Sequence, residues 1–390
     1  MKDCWLKRFL LKNLWALDDR YTDFVNKHGR IQANKIVFDS YGGKGYGDNP
    51  KYIAEEIHRQ GLNWDMVWLV NDLSLDVPSY LRKVLYYSNE AKRELATAKV
   101  FVTNFRSGIR PFAKRNQIYL QTWHGGLGFK QVEAAVEAKL NKGYVDRAKR
   151  DGAECDAIIS ACAMQSEDYK QNFWLSHQTE ILEFGQPRCD ALFLQDVKSV
   201  EKKVRKQLDI PENKEIIIYA PTFRDEKTVE CFNLDFQGLL GAFEKKTGKE
   251  YVMIIRLHPN IQHLCTFLSY NERIINGSNY PDIQELLLVA DALITDYSST
   301  AFDFALLGKP VFLCMLDYEQ YGRLRGFSEV FSICPFPKAY SNTEMIEKIE
   351  CFSEAEYTSR YNKFKTDIWR PFDDGYAAQR TVEWLKRQVM

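Results

Sequence analysis

Residues Leu288 to Cys314 read LVADALITDYSSTAFDFALLGKPVFLC, and the reading of this stretch decides the fold. An apolar run from Asp291 to Thr295 meets a small polar turn, Asp296-Tyr297-Ser298-Ser299. A helical stretch from Thr300 to Leu307 follows, then Gly308-Lys309-Pro310 and a second apolar run. Glycine is where a helix stops in a left-handed conformation, and proline can only border the next strand. The stretch is therefore one strand-turn-helix-strand unit. Its helix start offers a place for an anion, because first-turn N–H groups lack intrahelical partners and the dipole adds partial positive charge. Ser298, Ser299 and Thr300 would add hydroxyls to that cradle, and Asp303, one turn on, sits where acidic residues meet a ribose hydroxyl. The plainer alternative is that Ser298 or Ser299 caps the helix and Asp303 is a surface carboxylate.

The same grammar extends in both directions. Glu215 to Ala220 reads as a strand opening into Pro221-Thr222-Phe223-Arg224-Asp225, and Tyr251 to Leu257 as a strand opening into His258-Pro259. Residues before proline are pushed to extended conformations, so Arg256 and His258 should share one side with Leu257 opposite. Three strand ends of this half thus carry anion-binding chemistry. In the other half, Ile36 to Asp39 runs into Ser40 to Pro50, a loop with Gly42, Gly43, Gly45 and Gly47 that lacks the spacing of a dinucleotide fingerprint or a P-loop. Met66 to Val70, Val84 to Tyr87 and Val100 to Thr103 continue the series. Ile118 to Thr122 empties into Trp123-His124-Gly125-Gly126-Leu127-Gly128-Phe129-Lys130. A histidine at the carboxyl end of a strand sits where open α/β sheets bind ligands, and its ordinary pKa suits it to take a proton from a hydroxyl. Pro187 and the charged stretch Lys198 to Lys206 suggest a boundary near residues 187–200.

The chain has 390 residues, enough for two domains. Lysine plus arginine equals aspartate plus glutamate at 53 each, so no global field points to nucleic acid. Nine cysteines show no CxxC pair or metal-ligand rhythm and read as reduced core residues. No apolar run approaches the roughly 20 residues of a membrane span, and no cleavable signal is present. Residues 1–30 interleave Trp5, Leu6, Phe9, Leu10, Leu11, Leu14 and Trp15 with Lys2, Lys7, Arg8 and Lys12. Such a helix either lies on an anionic membrane surface or packs against the fold.

These motifs resemble the CDP-glycerol glycerophosphotransferase family of teichoic-acid primases, polymerases and capsule-synthesis relatives. The resemblance rests on Gly43 to Pro50, Gln121 to Gly125, Tyr219 to Asp225, Arg256 to Pro259 and Ile294 to Phe304, with Arg325-Gly326-Phe327 and Asp374-Gly375 in support. It implies an α/β, GT-B-like pair of Rossmann-type doubly wound domains facing across a cleft. The implied division is an N-terminal helical segment at 1–32, an acceptor domain at 33–190, a CDP-donor domain at 191–352, and helices at 353–390 returning to the first domain. The implied reaction is attack by an acceptor hydroxyl on the phosphorus bearing glycerol, releasing CMP. His124 would be the base and His258 the second catalytic histidine, within a clamp of Thr222, Arg224, Arg256, Ser298 and Ser299. Asp296, Thr300 and Asp303 fall on the donor side, and Gly43, Asp48, Asn49, Gly125, Gly126 and Lys130 on the acceptor side. The resemblance calls for no cofactor and no metal.

The expected partners are CDP-glycerol or another CDP-alditol, a lipid-linked or polysaccharide acceptor and an anionic membrane surface, with an oligomer compatible and nucleic acid not expected. The expected location is cytoplasmic, peripheral on the inner face of the cell membrane. Two alternatives share the fold: a GT-B glycosyltransferase using a CMP- or UDP-sugar, and an idle relative acting as a scaffold. The chain departs from the family where relatives continue with Thr-Pro-Leu-Lys after the histidine. Gly126-Leu127-Gly128-Phe129-Lys130 reads there as a longer, looser loop. Phe223 stands for a frequent tryptophan, and the short N-terminal segment is expected to leave no room for the extra domain that many chain-extending members carry.

Overall fold

Short runs of Val, Ile, Leu and Phe, buried on both faces, dictate strands in the interior of parallel sheets. The computed structural model describes residues 21–107, 116–224, 230–258 and 265–389. The tryptophan-rich start at 1–20, Asp225, Pro259 and the side chain of Arg325 lie outside the described residues. One sheet contains β1 (Gln32–Asp39), β2 (Asp65–Val70), β3 (Arg82–Leu85), β4 (Ala98–Thr103), β5 (Ile118–Gln121), β6 (Ala157–Ile159) and β7 (Glu180–Leu182). Its order is β3-β2-β1-β4-β5-β6-β7, and every pairing is parallel. The second contains β8 (Glu215–Tyr219), β9 (Tyr251–Ile255), β10 (Ile274–Asn276), β11 (Ala292–Thr295), β12 (Val311–Cys314) and β13 (Lys338–Ala339). Its order is β10-β9-β8-β11-β12-β13, again parallel throughout.

Strand order reverses between β1 and β4 in one sheet and between β8 and β11 in the other. Chains leaving the two strands of a switch point diverge and open a crevice at their carboxyl ends. Both crevices open toward each other: a Cβ added to Gly125, after β5, would lie 3.0 Å from Ser299 Oγ, after β11. Lys51 and Tyr52 of the first half both reach Asp282 of the second.

Lys198 to Lys206 is regular structure rather than a linker. It forms the helix Val197–Leu208, capped by Asp196, whose Val200 and Val204 are buried one turn apart while the lysines face out. The chain passes from one core to the other before it: Leu182 packs in the first, and Cys189 and Leu192 pack in the second. It crosses back at the end: Val382, Trp384 and Leu385 of the helix Ala377–Val389 join the core under β1, β2 and β4. Asp190 at the crossing accepts from Ala377 N and Ala378 N at 2.9 and 2.7 Å, satisfying the first donors of that helix. Among the described residues no two of the eight cysteines form a disulfide, and seven are buried. No described helix is long and apolar enough to cross a membrane.

Candidate active site

The loop after β5 is held from several sides. Trp123 adopts the left-handed region at φ 53°, packs edge-on to Phe173 and lies under the Arg106 guanidinium. Arg106 is itself buried between Glu133 and Asp151 at 3.1 and 2.8 Å. Gln165 donates to the carbonyls of Gly125 and Gly126 at 2.7 and 2.8 Å, and Asn49 to those of Thr122 and Trp123 at 3.2 Å each. His124 Nδ1 lies 2.7 Å from the carbonyl oxygen of Asn104. A carbonyl can only accept, so Nδ1 carries the proton and Nε2 keeps the lone pair. The ring surface is open to the cleft, yet protein close around it disfavours the imidazolium and pushes the pKa down to about 4. The Asn104 carbonyl and Asp48 pull it up, and Lys130 and Arg188 push it further down. At neutral pH the ring is uncharged.

Across the cleft, the helix Thr300–Ala305 begins at Ser299, whose side chain makes no capping bond. Ser298 Oγ bonds Thr300 N and Thr300 Oγ1 at 3.2 and 3.0 Å. Ser299 faces the histidine loop through Gly125. After β9, Leu257 is buried, Arg256 half-buried and His258 exposed, so the expected alternation is present. Arg256 Nη1 donates to the carbonyls of Gly277 and Tyr280, and burial lowers its pKa; no carboxylate among the described residues forms an ion pair with it. Burial, Lys44, Lys130 and Arg256 together lower the pKa of His258. Cations from both halves therefore converge on one place, which favours an anion there. Thr222 Oγ1 is buried without a hydrogen-bond partner.

Several expected contact residues face inward instead. Arg224 is 9% exposed and uses its fork on Asp317 and Asp296 and its Nη1 on the Thr222 carbonyl, enclosed by Phe232, Tyr297 and Tyr321. Asp296 also accepts from Thr222 N and Tyr297 N at 2.7 and 2.6 Å, so it shapes two strand ends from beneath. Asp303 is buried, taken by both arms of Arg188 at 2.8 and 3.0 Å and by Gln284 at 3.2 Å. Asn49 is fully buried and braces the histidine loop. Gly43, at φ 75°, packs where a Cβ would come within 2.9 Å of Asn71 N, so it shapes a turn.

The loop after the histidine is not loose. Phe129 is fully buried in the second half's core, 5.0 Å from the Phe302 ring and edge-on to Phe331 and Phe336. Ser328 bonds the carbonyls of Gly128 and Phe129 at 2.7 and 2.9 Å, and Lys130 bridges Phe327 in antiparallel fashion. Sequence reasoning passed over Asn104, Tyr41, Gln165 and Arg188. Asn104 had a signal, since it follows a strand that borders the switch point; Arg188 had none, because its partners lie far away in sequence. No three His, Cys, Asp or Glu among the described residues cluster as metal ligands.

Two parallel Rossmann-type sheets, with a histidine loop at one crevice and a serine turn with converging cations at the other, define a GT-B-like transferase. The profile described as CDP-Glycerol:Poly(glycerophosphate) glycerophosphotransferase matches residues 22–386. The chain belongs to this family. It is 30% identical over 393 residues to the teichoic acid poly(glycerol phosphate) polymerase of Bacillus spizizenii W23, covering 97% of each. It is 33% identical over 317 residues to the polymerase of the same description from Staphylococcus epidermidis, covering 78% of this chain and 43% of that protein. A solved structure of the wall teichoic acid polymerase TagF, soaked with CDPG, superposes with a TM-score of 0.84 at 28% identity, covering 97% of this chain and 96% of that one. A UDP-N-acetylglucosamine 2-epimerase structure from Listeria monocytogenes, at 12% identity and a TM-score of 0.53, shares the fold alone.

Proposed function

We propose that the chain moves glycerol phosphate from CDP-glycerol to a hydroxyl of a teichoic-acid acceptor, releasing CMP. One observation carries the reading: the neutral Nε2 of His124 stands across the cleft from the serine turn and the cations around His258. The acceptor oxygen forms a new bond to the phosphorus bearing glycerol as the bond to the bridging oxygen breaks. The hydroxyl proton passes to His124 Nε2, and the electron pair leaves with CMP. Arg256, Lys44 and Lys130 offset the charge that develops on the diphosphate, while the neutral His258 ring and Ser298, Ser299 and Thr300 supply hydrogen-bond donors to its oxygens. Arg224, Asp296 and Asp303 act from beneath, holding those donors in place. Gly125 and Gly126 let the acceptor approach closely.

The test is CMP release from CDP-glycerol, CDP-ribitol, CMP-sialic acid and UDP-glucose, each with and without a lipid-linked acceptor. Acceptor-dependent release from CDP-glycerol is the expected result. Release from a nucleotide sugar alone would move the chain to the glycosyltransferases. In the same assay, replacing Ser298 and Ser299 together with alanine should weaken donor binding by about 1–3 kcal/mol for lost bonds to a charged group. Unchanged donor affinity would remove the serines from the site.

The basic, tryptophan-bearing start is the proposed anchor on an anionic membrane surface, where a lipid-linked acceptor is presented. Removal of residues 1–16 should release the chain from anionic vesicles while sparing turnover of a soluble acceptor. Undiminished flotation with the vesicles would assign the segment to packing.

A further inference from the structure

Arg188 occupies the crossing between halves and reaches into both. Its Nε and Nη2 hold the two oxygens of Asp303, on the helix that starts at Ser299, and its Nη1 holds Asp48 Oδ1 at 3.1 Å. The other oxygen of Asp48 accepts from the Tyr41 hydroxyl. Tyr41 N donates to Asn104 Oδ1 at 2.8 Å, and the Tyr41 ring centroid lies 5.8 Å from that of His124. Asn104 closes the circuit, because its carbonyl fixes the His124 tautomer.

Backbone geometry supports a purpose for this arrangement. Tyr41, Asp48 and Trp123 have φ of 48°, 57° and 53°, in the left-handed region that side chains disfavour. Three such residues bracket one histidine. Each costs about 1–3 kcal/mol and persists only where surroundings over-determine it, a pattern that collects at active sites.

We propose that Arg188 is a positioning residue for His124, acting through Asp48 and Tyr41, and that it ties this base to the donor-side helix. The proposal rests on His124 being the base. Arg188 touches neither substrate; it sets the distance and aspect of the ring relative to the serine turn, because one guanidinium fork is shared between Asp48 and Asp303. Arginine is required for this, since a lysine cannot hold two carboxylates with one planar group. The same node has an electrostatic consequence. The charged and titratable groups around His124 are Asp48, Lys130 and Arg188, with the Tyr41 phenol beside them. Asp48 raises the proton affinity of the ring and Arg188 lowers it.

The test is kcat and KM for acceptor-dependent CMP release against pH, with donor binding measured by calorimetry. Arg188→Lys should lower kcat by about 100-fold, the cost of a base displaced by about 1 Å, with donor affinity within about threefold of wild type. Tyr41→Phe, at a partly exposed position that should fold normally, should lower kcat by about tenfold for one lost bond to a charged group. The acid limb of the profile should move to lower pH in Asp48→Asn and to higher pH in Arg188→Gln. A merely structural role would lower stability and leave kcat of the folded Tyr41→Phe chain at the wild-type value. Wild-type kcat in Tyr41→Phe with an unmoved limb in Asp48→Asn would overturn the proposal, whatever Arg188 variants do to folding. Full activity in His124→Ala would instead remove the base assignment on which it stands.

Discussion

Replacement of His124 by alanine is expected to lower acceptor-dependent CMP release by about 10²–10⁴-fold, the usual contribution of a positioned general base. Thermal stability should hardly change, because the ring surface is open to the cleft and its hydrogen bond among the described residues is to a backbone carbonyl. His124→Asn separates the two duties of the ring, since an amide can still donate to the Asn104 carbonyl but has no lone pair suited to the proton. It should be as inactive as the alanine variant. The sign of the pH response follows from the downward shift of the ring. In the free chain the base stays neutral well below pH 6.5, so kcat/KM should hold on the acid side until pH falls toward the lowered value near 4. A bound diphosphate brings negative charge beside the ring and raises its proton affinity. The acid limb of kcat should therefore lie at higher pH than that of kcat/KM. A His124→Ala chain retaining activity within tenfold of wild type would end the assignment.

The fold was legible because its punctuation is local. Gly308 and Pro310 bracket the link to β12, Pro221 and Pro259 sit just past the ends of β8 and β9, and the strands are buried runs that periodicity recovers. β13 was missed because two residues are too short to show a period, and β10 because its apolar run is only Ile274-Ile275 before the polar stretch Asn276-Gly277-Ser278-Asn279. The site was legible only as positions. A charged residue at a strand end reads the same whether it faces a ligand or a carboxylate 93 positions away, as Arg224 faces Asp317. Asp303 and Asn49 failed as contact residues for the same reason: their partners, Arg188 and the carbonyls of Thr122 and Trp123, are set by tertiary packing. His124 stood out because glycines beside it leave one side chain that can reach a substrate. Which core Phe129 would enter was not written in the sequence, because aromatic character specifies burial without specifying place.

Phe129 carries the second large expectation. Truncation to alanine should destabilise the chain by about 3–5 kcal/mol, the range for a buried aromatic that leaves a cavity. Phe129→Leu, which keeps most of the volume, should cost far less. The reason is specific to where the side chain goes. Phe129 leaves a loop of the first half and fills an aromatic box of Phe302, Phe331 and Phe336 in the second, so its removal loosens the attachment between halves as well as a core. Phe302 lies three residues from Ser299, and His124 lies five residues from Phe129, so the serine turn and the histidine loop are both moored to this contact. Activity should accordingly fall in Phe129→Ala even at temperatures where the chain stays folded, and kcat should fall more than donor affinity, because geometry between the halves is lost while the serine turn remains. Denaturant midpoints and turnover of the two variants, measured together, decide the matter. An alanine variant within about 0.5 kcal/mol of wild type, as expected for a surface position, would mean that the loop is as loose as its glycines suggest and that the cleft is set by other contacts between the halves, such as Arg188 with Asp303 and Lys51 with Asp282.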